Sequence, residues 1–194
     1  MEVLQFESSA DFRRWLENNH AASDGFWLRF FKKSSKTKSL THAEALDQAL
    51  CHGWIDGQVK PFDQESWLQK FTPRRPKSGW SKINTRHVER LARAGLMSPA
   101  GQAAVDAAKA DGRWNAAYDS PRNASPPEDL LRELDRNKKA KAFFNGLNRA
   151  NIYSIVYRLQ TAKKPETRAK RMKMILDMLT QGKTFHPQSG VPSR

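Results

Sequence analysis

Acid is scarce in this sequence, cysteine nearly so, and long apolar runs are missing; each shortage removes a class of protein. Twenty Asp and Glu face 34 Lys and Arg, which leaves a formal net charge of +14 over 194 residues. Such a chain is drawn toward nucleic acid, anionic lipid or acidic metabolites and pushed away from cationic partners. Cys51 is the only cysteine, so an internal disulfide and a Cys-rich zinc site are both excluded. No stretch approaches the roughly 18 apolar residues that span a bilayer. Met1 to Glu7 carry neither a basic leader nor an apolar segment, so a cytoplasmic location is expected. His20, His42, His87 and His186 show no metal-ligand spacing, and neither a metal nor a cofactor is indicated. A Gly-rich nucleotide fingerprint, a Ser/His/Asp elbow and a paired-acid signature are absent as well.

What is present is a basic stretch. Between Lys60 and Arg93 nine Lys and Arg stand against three Asp and Glu, and at its centre lies Phe71-Thr72-Pro73-Arg74-Arg75-Pro76-Lys77-Ser78-Gly79-Trp80-Ser81-Lys82-Ile83-Asn84. Guanidinium groups match phosphate oxygens bidentately, short hydroxyls add neutral donors, and prolines stiffen the loop that carries them.

The periodicity predicts an α+β protein, with a small, mainly antiparallel sheet and helices in the amino-terminal part and an all-helical carboxyl region. Val3 to Phe6 and the aromatic run Phe26 to Phe31 read as strands, the second buried on most of both faces. Ser8 or Ser9 caps a first helix, and Thr41 with Glu44 forms a capping box before a second that Gly53 ends. Trp54 to Lys60 and Ser66 to Thr72 pair as a hairpin. In the simplest register Ile55 and Val59 share an apolar side with Phe71 and Trp67, and Asp56 falls opposite Lys70. Ser81 or Asn84 starts the next helix and Ser98-Pro99 another. The domains expected are 1–117, with the basic loop at 70–84, a Pro/Ser/Asn-rich connector at 118–127 and a helical region at 128–182. Ser125 to Glu128 reads as a second capping box, and 183–194 as a mobile tail.

Three runs carry a resemblance to a known family: Ala49-Leu50-Cys51-His52-Gly53-Trp54-Ile55-Asp56-Gly57, the Phe71 to Asn84 run above, and Ala162-Lys163-Lys164-Pro165-Glu166-Thr167-Arg168. Together they resemble the YdeI/OmpD-associated (OmdA-like) family over nearly the whole chain. The resemblance implies an association with bacteriocin protection and with resistance to cationic antimicrobial peptides. It implies no catalytic residue and no cofactor.

The candidate ligand site comprises Arg74, Arg75, Lys77 and Lys82 for charge, Ser78 and Ser81 for hydrogen bonds, and Trp54 or Trp80 for stacking. These two are the tryptophans expected to be partly exposed, whereas Trp15, Trp27 and Trp67 read as core. The partner expected is a phosphate-bearing anion, either nucleic acid or a nucleotide. Asp56 is the one carboxylate placed for acid/base work, and an ion pair with Lys70 explains it equally well. Cys51 and His52 are chain neighbours on a helix and do not face each other. Two alternatives stay open: an enzyme acting on a small anionic metabolite, with Asp56 as acid/base, and a purely structural motif in which the loop ties the sheet to the helical region through backbone carbonyls and Asp56. Lys163, Lys164, Arg168, Lys170, Arg171 and Lys173 form a second basic cluster that reads as an exposed helix surface.

Overall fold

The computed structural model describes residues 1–188. The chain divides into two compact units, Met1–Ala117 and a second that begins at Tyr118. In the first unit β1 (Val3–Leu4), α1 (Ser9–Asn19), β2 (Phe26–Phe31), α2 (His42–Cys51), β3 (Trp54–Pro61), β4 (Ser66–Pro73), α3 (Lys82–Arg93) and α4 (Pro99–Ala110) follow in order. The strands form a sheet in the order β1-β2-β4-β3. Its β1/β2 pair is parallel and the other pairs are antiparallel. The predicted α+β class and the all-helical carboxyl region are both found.

One face of the sheet carries the core. Phe26, Leu28 and Phe30 alternate inward along β2 and pack with Phe71, Trp54 and, from the helices, Phe12, Leu16, Ala45 and Ala49. Each such large apolar side chain contributes about 1.5–3 kcal/mol by leaving water. The helices start where short polar side chains replace missing backbone partners. Ser8 Oγ accepts from Asp11 N at 3.2 Å. Thr41 and Glu44 complete the predicted capping box, with Thr41 N donating to Glu44 Oε2 at 2.7 Å and Glu44 N to Thr41 Oγ1 at 3.3 Å. Gly53 ends α2 at φ +76°, a left-handed turn that a Cβ would strain.

The other side of α2 makes a second core. Leu46, Leu50 and Cys51 meet Trp80, Val88, Leu91, Val105 and Ala108. Here α4 lies so close to the end of α2 that a Cβ on Gly101 would sit 2.0 Å from the Cys51 carbonyl oxygen. That same oxygen accepts from Ser98 Oγ at 2.8 Å and Ser98 N at 3.0 Å.

The β3/β4 hairpin departs from the expected register. Asp56 pairs with Phe71 rather than Lys70; an irregularity between Asp56 and Val59 then shifts the strand, so that Val59 meets Gln69 and Lys60 meets Leu68. One extra residue on one strand flips every later side chain to the opposite face. Trp54 and Asp56 therefore point with Phe71 toward the helices, while Lys60 points the other way.

The second unit consists of α5 (Glu128–Arg136), α6 (Lys138–Asn145), α7 (Arg149–Gln160) and α8 (Pro165–Thr180). Leu130, Leu134, Phe144, Ile155, Leu159, Ile175 and Leu179 close its core. No capping box forms at Ser125: Pro127 is the N-cap, with no side-chain hydrogen bond to the helix. Asp129 instead takes a forked ion pair from Arg168, at 2.8 Å to each oxygen. This hydrogen-bonded partner holds the Asp129 carboxyl below the usual carboxylate range. Arg168 also donates to the Leu159 carbonyl and Arg171 to that of Arg158, each at 2.6 Å. These two arginines of the second basic cluster thus satisfy the open carbonyls at the end of α7 rather than facing water. The expected tail is anchored at its start. Thr184 is fully buried, and Phe185 N and His186 N donate to Asn151 Oδ1 at 3.1 and 2.9 Å. The remainder of that tail, 189–194, lies outside the described residues.

Gly101→Ala tests the α2/α4 contact. Backbone, not a flexible side chain, blocks the new methyl, so a loss of about 1–3 kcal/mol is expected. A thermal midpoint equal to the parent's would show that the helices do not approach this closely.

Candidate anion-binding surface

The loop after β4 is folded on itself. Arg74 N donates to Gly53 O at 2.9 Å, its Nη2 donates to Gly79 O at 2.7 Å, and its guanidinium lies 3.6 Å from the centroid of the Trp80 ring. Trp80 in turn sits 5.0 Å from the ring of Trp114. Arg113, itself 7% exposed, donates to Ser78 O at 3.0 Å. Ser81 Oγ accepts from Asn84 N at 3.1 Å and so caps α3. Arg74 and Ser81 therefore close the loop, while Arg75, Lys77 and Lys82 are exposed. Two buried donors of the loop, Ser78 Oγ and Trp80 Nε1, meet no hydrogen-bond partner among the described residues.

The two tryptophans chosen for stacking are not available. Trp54 and Trp80 are each 1% exposed. Trp54 lies in the main core, edge-on to Trp15 at 5.9 Å, and its Nε1 donates to His20 O at 3.2 Å. The register shift explains the first burial, because it turns Trp54 inward; the α2/α3/α4 core absorbs the second.

Asp56 makes no pair with Lys70. Its Oδ2 lies 3.0 Å from His42 Nε2 and 3.5 Å from Gln69 Nε2, a cross-link between β3 and the first turn of α2. Cys51 and His52 are buried. Burial pushes the Cys51 thiol up to about 11, which removes it as a nucleophile. Burial also lowers the His52 value, and His52 Nδ1 donates to Gln48 O at 2.9 Å. Among the described residues no three His, Cys, Asp or Glu side chains converge as a metal ion would require.

The sheet supplies what the tryptophans of the loop do not. On the face turned away from α1 and α2, β2 presents Trp27, Arg29 and Phe31, β4 presents Leu68, Lys70 and Thr72, and β3 presents Lys60. The ammonium of Lys60 lies 4.2 Å over the Trp27 ring. Arg29 is held between Phe31 and Phe62, at 4.5 and 4.9 Å from their centroids, and pairs with Asp63 at 2.6 Å. Phe62 is half exposed and Val3 beside Trp27 nearly so. Neither Lys60 nor Lys70 has a carboxylate partner among the described residues. Strand β4 runs directly from Lys70 and Thr72 into Arg74, Arg75 and Lys77. Sequence reasoning placed Trp27 in the core. The signal that could have corrected this is Arg29, which shares a period-two row with Trp27 and Phe31 and marks that row as wet.

A mixed sheet with helices on one face and interleaved cations and aromatic rings on the other defines an α+β domain. Residues 4–104 match a family described as a domain of unknown function, DUF8412, and the chain belongs to that family. Residues 123–182 match the family described as bacteriocin-protection, YdeI or OmpD-associated. The resemblance seen in the sequence thus holds for the helical region that contains Ala162 to Arg168, and the runs at 49–57 and 71–84 fall within the other match. No curated protein and no solved structure matches the chain. No described helix is long and apolar enough to cross a membrane.

Two expectations follow. Arg74→Ala removes a hydrogen bond and a cation–ring contact and should cost about 1–2 kcal/mol of stability in chemical denaturation; an unchanged midpoint would mean that the loop does not need its arginine clasp. For His52 the neutral ring is the folded form. The unfolded chain therefore takes up the proton first as pH falls below about 6.5, and the stability owed to this residue is full above that value and is lost as pH drops toward the lower folded value. His52→Gln should flatten the decline in unfolding midpoint between pH 7 and 5, and parallel pH profiles would refute this.

Proposed function

We propose that the first unit binds a phosphate-bearing strand, single-stranded nucleic acid, across the outer sheet face and the exposed cations of the 74–82 loop. The observation that carries this reading is the Lys60 ammonium resting on the Trp27 ring beside Lys70, with no acid among the described residues to neutralise either lysine. A base that stacks on Trp27 displaces Lys60 toward the adjacent phosphate, so one side chain protects the ring when free and neutralises the strand when bound. Stacking of this type contributes about 1–3 kcal/mol per base and tolerates any sequence. Arg75, Lys77 and Lys82 extend the cationic track past the end of β4, and the net charge of +14 favours rapid association with a polyanion. The unpartnered donors of Ser78 and Trp80 support an acceptor at the loop. A protective role, suggested by the family description matched at 123–182, would act through this ligand, since so basic a chain repels cationic peptides.

Binding to a single-stranded oligonucleotide should weaken with salt by a log–log slope of about 0.7 per neutralised phosphate. Lys60→Ala with Lys70→Ala should reduce that slope by about 1.4 and leave the thermal midpoint within a degree or two. Fluorescence anisotropy across a salt series measures both affinity and slope. A double variant with the parent's affinity and slope would eliminate the sheet face as the binding surface.

A further inference from the structure

A second site lies where β2 hands over to the loop before α2, on the opposite side of the sheet from Trp27. A cavity of about 400 Å³ opens there, lined by Phe30, Phe31, Trp67, Leu40 and His42 and by Lys32, Lys33, Lys38 and hydroxyl residues of the loop. Its volume is at the small end of the range for small-molecule sites, about 300–1,000 Å³.

Two chemistries meet in it. One is aromatic: Phe30 and Trp67 are stacked with centroids 4.7 Å apart and planes 23° apart, and the His42 ring lies 5.9 and 6.1 Å from them. His42 is fixed by Asp56 at 3.0 Å, so its ring is an oriented wall rather than a free side chain. The other is cationic. Residues 32–41, Lys-Lys-Ser-Ser-Lys-Thr-Lys-Ser-Leu-Thr, contain four lysines, five hydroxyls and no acid. Lys32 is used internally, its Nζ donating to Gln64 O at 2.8 Å. Lys33, Lys36 and Lys38 are exposed and have no ion-pair partner among the described residues.

The loop itself is built. Lys32 N donates to Glu65 O at 2.8 Å, Ser35 N to Lys32 O at 3.0 Å and Leu40 N to Phe6 O at 3.3 Å, while Thr37 N donates to Ser35 Oγ at 3.2 Å. Both ends are pinned and the middle turns on its own side chains, so the loop backbone keeps Lys33 and Lys38 at the border of the cavity. The first turn of α2 contributes little, since Thr41 and Glu44 already occupy it. Any anion here must be held by the lysine and hydroxyl side chains.

We infer that this cavity takes an aromatic ring carrying a phosphate, of the nucleotide class, with the ring against Trp67 and His42 and the phosphate between Lys33 and Lys38. A bare phosphate leaves the aromatic side chains unused, and a bare ring leaves Lys33 and Lys38 unmatched; a nucleotide uses both. The ligand can be free or can be the phosphorylated end of a strand. The inference rests on other cations than the outer face does, Lys33 and Lys38 rather than Lys60 and Lys70, although Phe31 borders both.

The test is calorimetric titration of the full chain with adenosine monophosphate, adenosine, inorganic phosphate and a short 5′-phosphorylated oligonucleotide. The nucleotide should bind at least about tenfold more tightly than adenosine or phosphate, because each of those gives up one set of contacts. Lys33→Ala with Lys38→Ala should lose about tenfold or more in nucleotide affinity without a change in thermal midpoint, whereas Lys60→Ala with Lys70→Ala should leave it intact. Competition between the 5′-phosphorylated oligonucleotide and the nucleotide, abolished when the 5′ phosphate is removed, would assign the site to strand ends; absence of competition would assign it to free nucleotide. Heat of binding absent at millimolar nucleotide, equal binding of inorganic phosphate, or an unaffected Lys33/Lys38 variant would each overturn the inference. Because the two lysine pairs are separate, loss of this site and loss of the outer-face reading show up in different variants.

Discussion

The irregularity in β3 between Asp56 and Val59 decides what each face of the sheet can do. In an unbroken hairpin the pairing of Asp56 with Phe71 would continue and put Lys60 on the core side. The extra residue reverses that, sending Lys60 across to Trp27 while Trp54 and Asp56 stay with the helices. A cation on the other side would lie away from the Trp27 ring and leave the outer face without it. The core and the basic surface therefore depend on the same backbone step, and Gly57 sits within it with room for its neighbour Lys70 alongside.

The basic loop shows how one sequence pattern serves two roles. Arg74 is spent on closing the loop, its guanidinium laid on Trp80 and hydrogen-bonded to Gly79. Arg75 and Lys77 remain outside that closure. The pair Arg74-Arg75 is thus divided between fold and surface. The second unit repeats the theme, since Arg168 and Arg171 close the end of α7 and tie α8 to α5 through Asp129. Among the described residues it is disproportionately the arginines whose heads reach backbone carbonyls, in keeping with a planar, weakly hydrated head group.

Most of the fold was legible. The caps at Ser8, Thr41, Ser81 and Ser98 are local chemistry, and so are the inward rows of α1 and α2. The hairpin was legible as a hairpin but not in register, because a bulge is set by the whole sheet and leaves no local signature beyond a glycine. The capping box at Ser125 misled because two prolines follow it and the helix begins after both. The site was only partly legible. Charge marked the basic surface, but burial of Trp54 and Trp80 depends on which helices pack over them, and that is a tertiary fact. Trp27 and Lys60 come together from different strands, so no run of sequence contains their contact, and the lysine-rich loop at 32–41 gains meaning only when Phe30 and Trp67 appear beside it.

The near-contact of Gly101 with the end of α2 also places the sole sulfhydryl of the molecule under a helix. Cys51 is sealed by α4 and α3 and is 2% exposed, so an alkylating reagent reaches it only when that junction opens. The chain thus carries an internal clock for the opening of α4 from α2, read as the mass that the reagent adds to a single native thiol.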